Sequence, residues 1–205
     1  MTLSRRAMLA AGLGAAASPA LARTRTIVAL GDSLTAGFGL RAGEAFPARL
    51  EALLKAQGKD VAIRNAGLSG DTTAGGLARL AFATQGTVDG VMLGLGANDM
   101  LQGRPVAEAR ANLDTILTRV RARRLPVLLL GMRAPTNWGA DYQRAFDALY
   151  PALARKHGAA LYPFLLDGVA LDPKLNQRDG IHPNAQGAAL IARRLAPVFI
   201  RAFNL

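Results

Sequence analysis

The sequence predicts a single α/β domain, a mainly parallel sheet covered by helices on both faces. Two observations carry that expectation. Five short apolar runs of strand length recur along the chain, and stretches with 3.6-residue apolar periodicity separate them. A third points the same way: strand-like runs such as 26–30 and 90–95 end in small or turn-forming residues. Strands buried on both faces read as continuous apolar runs, as these do. In chain order the runs are 26–30, 61–65, 90–95, 126–131 and 159–162. Between the first two, Phe46, Leu50, Leu53 and Leu54 share one helical face and Gly58 supplies a stop. Val106, Ala109, Leu113, Ile116, Leu117 and Val120 form a longer stripe, and Phe146, Leu149, Tyr150 and Leu153 form another despite Pro151. A last helix is expected after His182, with Pro183 suited to its first position. Such periodic positions are core rather than binding surface.

Ahead of the first strand, Arg5-Arg6 and an uncharged Ala/Leu/Gly run lead to Pro19-Ala20-Leu21-Ala22. A positive start, a short apolar stretch and Ala-x-Ala predict a cleaved export signal over 1–22, leaving one domain over 23–205 and a periplasmic or secreted product. The paired arginines suit the twin-arginine route, although Met8 stands where that signal carries Phe. The chain has no cysteine, which excludes disulfides, thiolate metal sites and a cysteine nucleophile. Its formal charge is +11, mostly from scattered arginine, with no block longer than Arg121-Ala122-Arg123-Arg124. Losing Arg5 and Arg6 with the signal lowers it to about +9. That balance suits either a soluble basic surface or attraction to anionic lipid. No nucleic-acid-binding motif accompanies it, so no nucleic-acid partner is expected.

The chemistry concentrates at strand ends. Gly31-Asp32-Ser33-Leu34 follows the first strand, where open α/β sheets place their ligands. Ser33 there is either a turn residue or a nucleophile. A serine hydroxyl needs a base whose tautomer a third group fixes. Asp179-Gly180-Ile181-His182 offers both, since one turn of chain lets Asp179 orient the imidazole while its far nitrogen faces Ser33. Of the two histidines, His157 reads instead as a cation in the last turn of a helix.

Gly31-Asp32-Ser33-Leu34, Gly70 within Ser69-Gly70-Asp71-Thr72, Gly96-Ala97-Asn98-Asp99 and Asp179-Gly180-Ile181-His182-Pro183 together resemble the four blocks of the SGNH (GDSL-type) hydrolases. The likeness is to their periplasmic thioesterase/lysophospholipase/arylesterase branch and runs over the chain after residue 25. It implies a three-layer sandwich with flavodoxin-like strand order 2-1-3-4-5. It also implies a catalytic Ser33, Asp179 and His182, and an oxyanion hole from the Ser33 and Gly70 N–H groups and the Asn98 amide. Read without the resemblance, Gly70 and Asn98 are equally ordinary turn residues. Ala97 departs from the branch, which often has glycine there. No Gly-x-Ser-x-Gly elbow surrounds Ser33, which argues against the α/β-hydrolase superfamily. No metal site or cofactor is expected, because one site histidine gives too few ligands.

Met132, Pro135 and Trp138 follow the fourth strand, in a region that borders the acyl groove of the resembling branch. With Asp32, Leu34 and Ile181, which flank the triad, they are the expected substrate-binding residues, though a loop anchored by a buried Trp138 fits equally well. Three functions fit: an exported hydrolase of acyl esters and thioesters, including lysophospholipids; a carbohydrate or peptidoglycan O-acetylesterase; and a non-catalytic lipid- or nucleic-acid-binding protein. Any membrane contact is expected to be peripheral.

Overall fold

The computed structural model describes residues 23–205, so the expected leader over 1–22 lies outside the described residues. Five parallel strands build one sheet: β1 (Arg25–Gly31), β2 (Val61–Gly67), β3 (Gly90–Gly94), β4 (Val127–Leu130) and β5 (Ala160–Tyr162). Their order is β2-β1-β3-β4-β5, so the chain reverses its direction of travel across the sheet after β2. The strand runs read from sequence therefore hold to within two residues at each end.

Eight α-helices complete the described residues: α1 (Ser33–Ala36), α2 (Phe46–Ala56), α3 (Thr73–Ala83), α4 (Ala97–Leu101), α5 (Val106–Ala122), α6 (Ala140–Asp147), α7 (Leu149–His157) and α8 (Ala185–Phe203). Helices α2 and α8 pack together over one face of the sheet, while α3, α5 and α7 cover the other. Helices α2 and α5 present the stripes that their sequence periodicity forecasts. Phe46, Leu50 and Leu54 of α2 are buried, as are Leu113, Ile116, Leu117 and Val120 of α5. Burying a Leu or Phe side chain contributes about 1.5–3 kcal/mol, so these two layers supply much of the driving force. Helix α8 adds Ile191, Leu195, Phe199 and Phe203 at the same spacing.

Two expectations need correcting. The stripe from Phe146 to Leu153 belongs to two helices, because Pro151 has no N–H for the Asp147 carbonyl and the chain restarts at Ala148. Pro183 is not the first residue of α8. Asn184 caps that helix, its side chain accepting from the Gln186 and Gly187 N–H groups, and Pro183 stands one place earlier in an isolated bridge to Asn176. His157 does end α7, where its Nε2 lies 2.6 Å from Asp114 Oδ1.

The site is positioned by a row of glycines. Gly67, Gly31 and Gly94 lie side by side at the carboxyl ends of β2, β1 and β3. A Cβ on Gly31 would come within 2.0 Å of Thr35 Oγ1, and one on Gly67 within 2.2 Å of the Ala36 nitrogen. Only bare backbone leaves room for α1 to seat directly on the strand ends.

Candidate active site

Asp32 caps α1: its Oδ1 accepts from the Leu34 N–H at 3.0 Å, and Ser33 begins the helix. Ser33 Oγ lies 2.9 Å from His182 Nε2. His182 Nδ1 lies 2.7 Å from Asp179 Oδ2, so the carboxylate fixes the tautomer that leaves Nε2 free to take a proton. The other oxygen, Asp179 Oδ1, accepts from the N–H groups of Ile181 and His182. The His182 backbone N–H foremost, then the ring and the Ile181 N–H, hold the carboxyl down at about 2. Gln177 N–H donates to the His182 carbonyl at 2.8 Å and pins the loop from its other side. Phe38 rests on the imidazole, ring centres 4.7 Å apart.

On the same cleft, Asn98, in the first turn of α4, donates one amide hydrogen to the Asp71 carbonyl at 2.8 Å. A carboxamide has two N–H bonds, so fixing one sets the direction of the other. Gly70, with φ of +82°, turns the chain after β2. Among the described residues, neither the Ser33 nor the Gly70 N–H is taken by another group. Ser33, Gly70, Asn98 and His182 all face one cleft.

A guanidinium ties these segments together. Arg79 Nε donates to Asp71 Oδ2 at 2.6 Å, and its two terminal nitrogens donate to the carbonyls of Ala66 (2.7 Å) and Gly31 (2.9 Å). One planar fork thus joins the ends of β1 and β2 to the segment that follows Gly70. Asp99 anchors the start of α3 in turn, accepting from the N–H and hydroxyl of Thr73.

The cleft has a volume of about 530 Å³ and a mostly apolar lining that includes Leu34, Met100, Met132, Phe164 and Leu166. Leu34, Met132, Pro135 and Ile181 are therefore brought to it. Asp32 and Trp138 are not. Asp32 is buried beneath Ser33 as a helix cap, and burial raises its carboxyl to about 6. Trp138 lies against Gly103 and the Tyr142 ring, 5.5 Å away, and is 37% exposed, so it is neither a groove residue nor the buried anchor of its loop. Ala97 lines the cleft and leaves Asn98 in place. Sequence reasoning missed Phe38, Leu101, Phe164 and Leu171 as lining residues; Leu101 ends α4, the other three lie outside helices and strands, and apolarity was their only signal. It also missed the Arg79 clamp, which acts mostly through backbone carbonyls. Among the described residues no group of three or more His, Cys, Asp or Glu could hold a metal ion, and no helix is long and apolar enough to cross a membrane.

A five-stranded α/β/α sheet with a hydroxyl, an imidazole and a carboxylate in series beside an apolar cleft defines an acyl hydrolase. The chain belongs to the GDSL-like lipase/acylhydrolase family, whose sequence profile matches residues 29–190. It is 40% identical over 163 residues to Esterase TesA of Pseudomonas aeruginosa, a match covering 79% of this chain and 81% of that one. It is 41% identical over 172 residues to thioesterase 1/protease 1/lysophospholipase L1 of Escherichia coli K12, covering 83% and 81%. Among solved structures, AlinE4, an SGNH-hydrolase family esterase, superposes with a TM-score of 0.75 at 46% identity, over 89% of this chain and 98% of that one. A TesA crystal structure gives a TM-score of 0.82 at 37% identity, over 87% and 99%.

Proposed function

We propose that this chain is an exported hydrolase of fatty-acyl esters and thioesters, lysophospholipids included, working through a Ser33 acyl-enzyme. The observation that carries the reading is the 2.9 Å contact of Ser33 Oγ with His182 Nε2, with Asp179 at 2.7 Å behind the ring. His182 takes the Ser33 proton as Oγ attacks the carbonyl carbon. The negative charge that develops on the substrate oxygen is met by the Ser33 and Gly70 N–H groups and the free Asn98 amide hydrogen. The tetrahedral species collapses, the ester or thioester bond breaks, and His182 Nε2 returns the proton to the leaving alcohol or thiol. Water then enters, His182 takes its proton, and hydrolysis frees the acid and Ser33. Asp179, held ionised by its hydrogen bonds, stabilises the imidazolium in both half-reactions.

An apolar cleft of about 530 Å³ favours acyl chains longer than acetyl, which weighs against the O-acetylesterase alternative. Export over 1–22 rests on the sequence pattern of that leader. The test is hydrolysis of p-nitrophenyl esters from acetyl to palmitoyl by the protein, by Ser33→Ala and by His182→Ala. Medium- and long-chain activity falling by roughly a thousandfold or more in both variants is the expected result. Activity confined to acetyl, or indifferent to Ser33, would refute the reading.

A further inference from the structure

Seven large apolar side chains are exposed among the described residues, and four of them line the same cleft: Phe38, Leu101, Leu171 and Ile181. They come from four separate segments, at the ends of α1 and α4 and on two loops before α8. Leu171 is 91% exposed and has φ of +65°, a conformation that a leucine seldom adopts. Nothing inside the fold rewards holding it there. Apolar groups gathered around one opening mark a contact surface, whereas scattered ones need no explanation.

Free cations accompany these four side chains in the chain. Each has an exposed cation three residues away: Arg41 for Phe38, Arg104 for Leu101, Lys174 for Leu171 and Arg178 for Ile181. Arg133 is a fifth and lines the cleft itself. Among the described residues none of these five forms an ion pair, although Arg79, Arg144 and Arg194 do. No carboxylate lines the cleft. The carboxylates of the same segments are engaged locally: Asp172 and Asp179 accept from backbone N–H groups of their own loops, Glu44 from the Arg41 N–H, and Asp99 from the N–H and hydroxyl of Thr73.

We infer that the cleft mouth docks on an anionic phospholipid surface, with Phe38, Leu101, Leu171 and Ile181 entering the headgroup layer and the five cations meeting lipid phosphates. Apolar anchors ringed by unpaired cations bind such a surface through both terms at once, and neither suffices alone. The excess of unpaired cations on these segments also opposes the other apolar occupant, a second copy of this chain, because like charge would meet like. Docking concerns where the cleft opens and is measured without turnover, so it stands or falls separately from the acyl-enzyme reading.

The experiment is co-sedimentation of the Ser33→Ala protein with phosphatidylcholine vesicles and with vesicles containing about one third phosphatidylglycerol. Binding to the anionic vesicles, little to neutral ones, and release at high salt are expected. Arg41→Gln/Arg104→Gln/Lys174→Gln should weaken it on the order of a hundredfold, about fivefold for each cation. That triple change, in the protein with Ser33 intact, should leave hydrolysis of a soluble butyryl ester unchanged. Phe38→Ser/Leu171→Ser should weaken vesicle binding at equal ionic strength. Equal binding to both vesicles, an unaffected triple variant, or self-association through the rim without vesicle binding would each overturn the inference.

Discussion

Asp32 sits beneath Ser33 at a cost in stability set by its burial. Its carboxyl is 2% exposed, and desolvation raises it from the model-peptide 3.8 to about 6 against the opposing pull of the Leu34 N–H and His182. The unfolded chain therefore releases this proton near 3.8 and the folded one near 6, so the folded state binds more proton between those values and stability falls as pH rises through them. Above pH 6 the full penalty stands, about 3 kcal/mol from some two pKa units. Asp32→Asn keeps the cap, because asparagine accepts from Leu34 N–H as well as aspartate does. It removes the buried charge and adds a buried N–H₂, costing about 1 kcal/mol if unpaired. At pH 7.5 the variant should be more stable by about 2 kcal/mol, raising Tm by about 4–8 °C for a domain of this size. At pH 4 only about 0.5 kcal/mol of penalty remains to relieve, so the order reverses and the variant is slightly the weaker. Urea titrations at the two pH values measure both numbers. The same variant should turn over more slowly at pH 7.5, since the buried negative charge that helps an imidazolium form is gone. A stability difference that does not change with pH would refute the reasoning.

Other changes probe the rest of the site. Asn98→Ala should lower kcat about a hundredfold with KM little changed, as loss of one oxyanion donor does, and a change below threefold would exclude that role. Arg79→Lys keeps a cation for Asp71 but cannot span the Gly31 and Ala66 carbonyls; denaturant titration should show about 1–3 kcal/mol lost. Its kcat should fall more than its KM rises, and added guanidinium should partly restore kcat in Arg79→Ala. Gly67→Ala sets a methyl 2.2 Å from the Ala36 nitrogen, so α1 must lift; kcat should drop between tenfold and a hundredfold in protein whose far-ultraviolet circular dichroism is unchanged.

Much of this fold was legible because it is written in local patterns. Ile27 to Leu30 is an apolar run of strand length with a turn signal directly after it, and the stripes of α2 and α5 announce their period without help from the rest of the chain. Asp179 and His182 were legible for a similar reason, since three residues of separation fix their relation before any tertiary contact forms. Their meeting with Ser33 depends on strand order, which the family resemblance implied and local pattern could not. Trp138 misled because an aromatic near a site packs as readily on Gly103 as on a ligand. Helix α3 passes through Gly75 and Gly76, poor helix formers that hid it; Gly76 is held where a Cβ would meet Leu95 at 2.1 Å. Arg79 left no trace, because backbone carbonyls carry no sequence signature. The apolar rim is assembled from positions 38 to 181, and exposure is not a property of any one of them.

His182 and Asp179 share one short loop, tied at Gln177 and by the Asn176–Pro183 bridge, while Ser33, 2.9 Å from the imidazole, comes from the end of β1. Imidazole and carboxylate therefore travel as a cassette. Remodelling the chain between β5 and Asn176, where Phe164, Leu166 and Leu171 meet the cleft, can reshape what the enzyme admits without parting the pair that moves the proton. A designer seeking new acyl preferences would exchange the cleft-facing side chains of that stretch and keep the Val169, Asp172 and Lys174 carbonyls that hold Asn176 and Asn184.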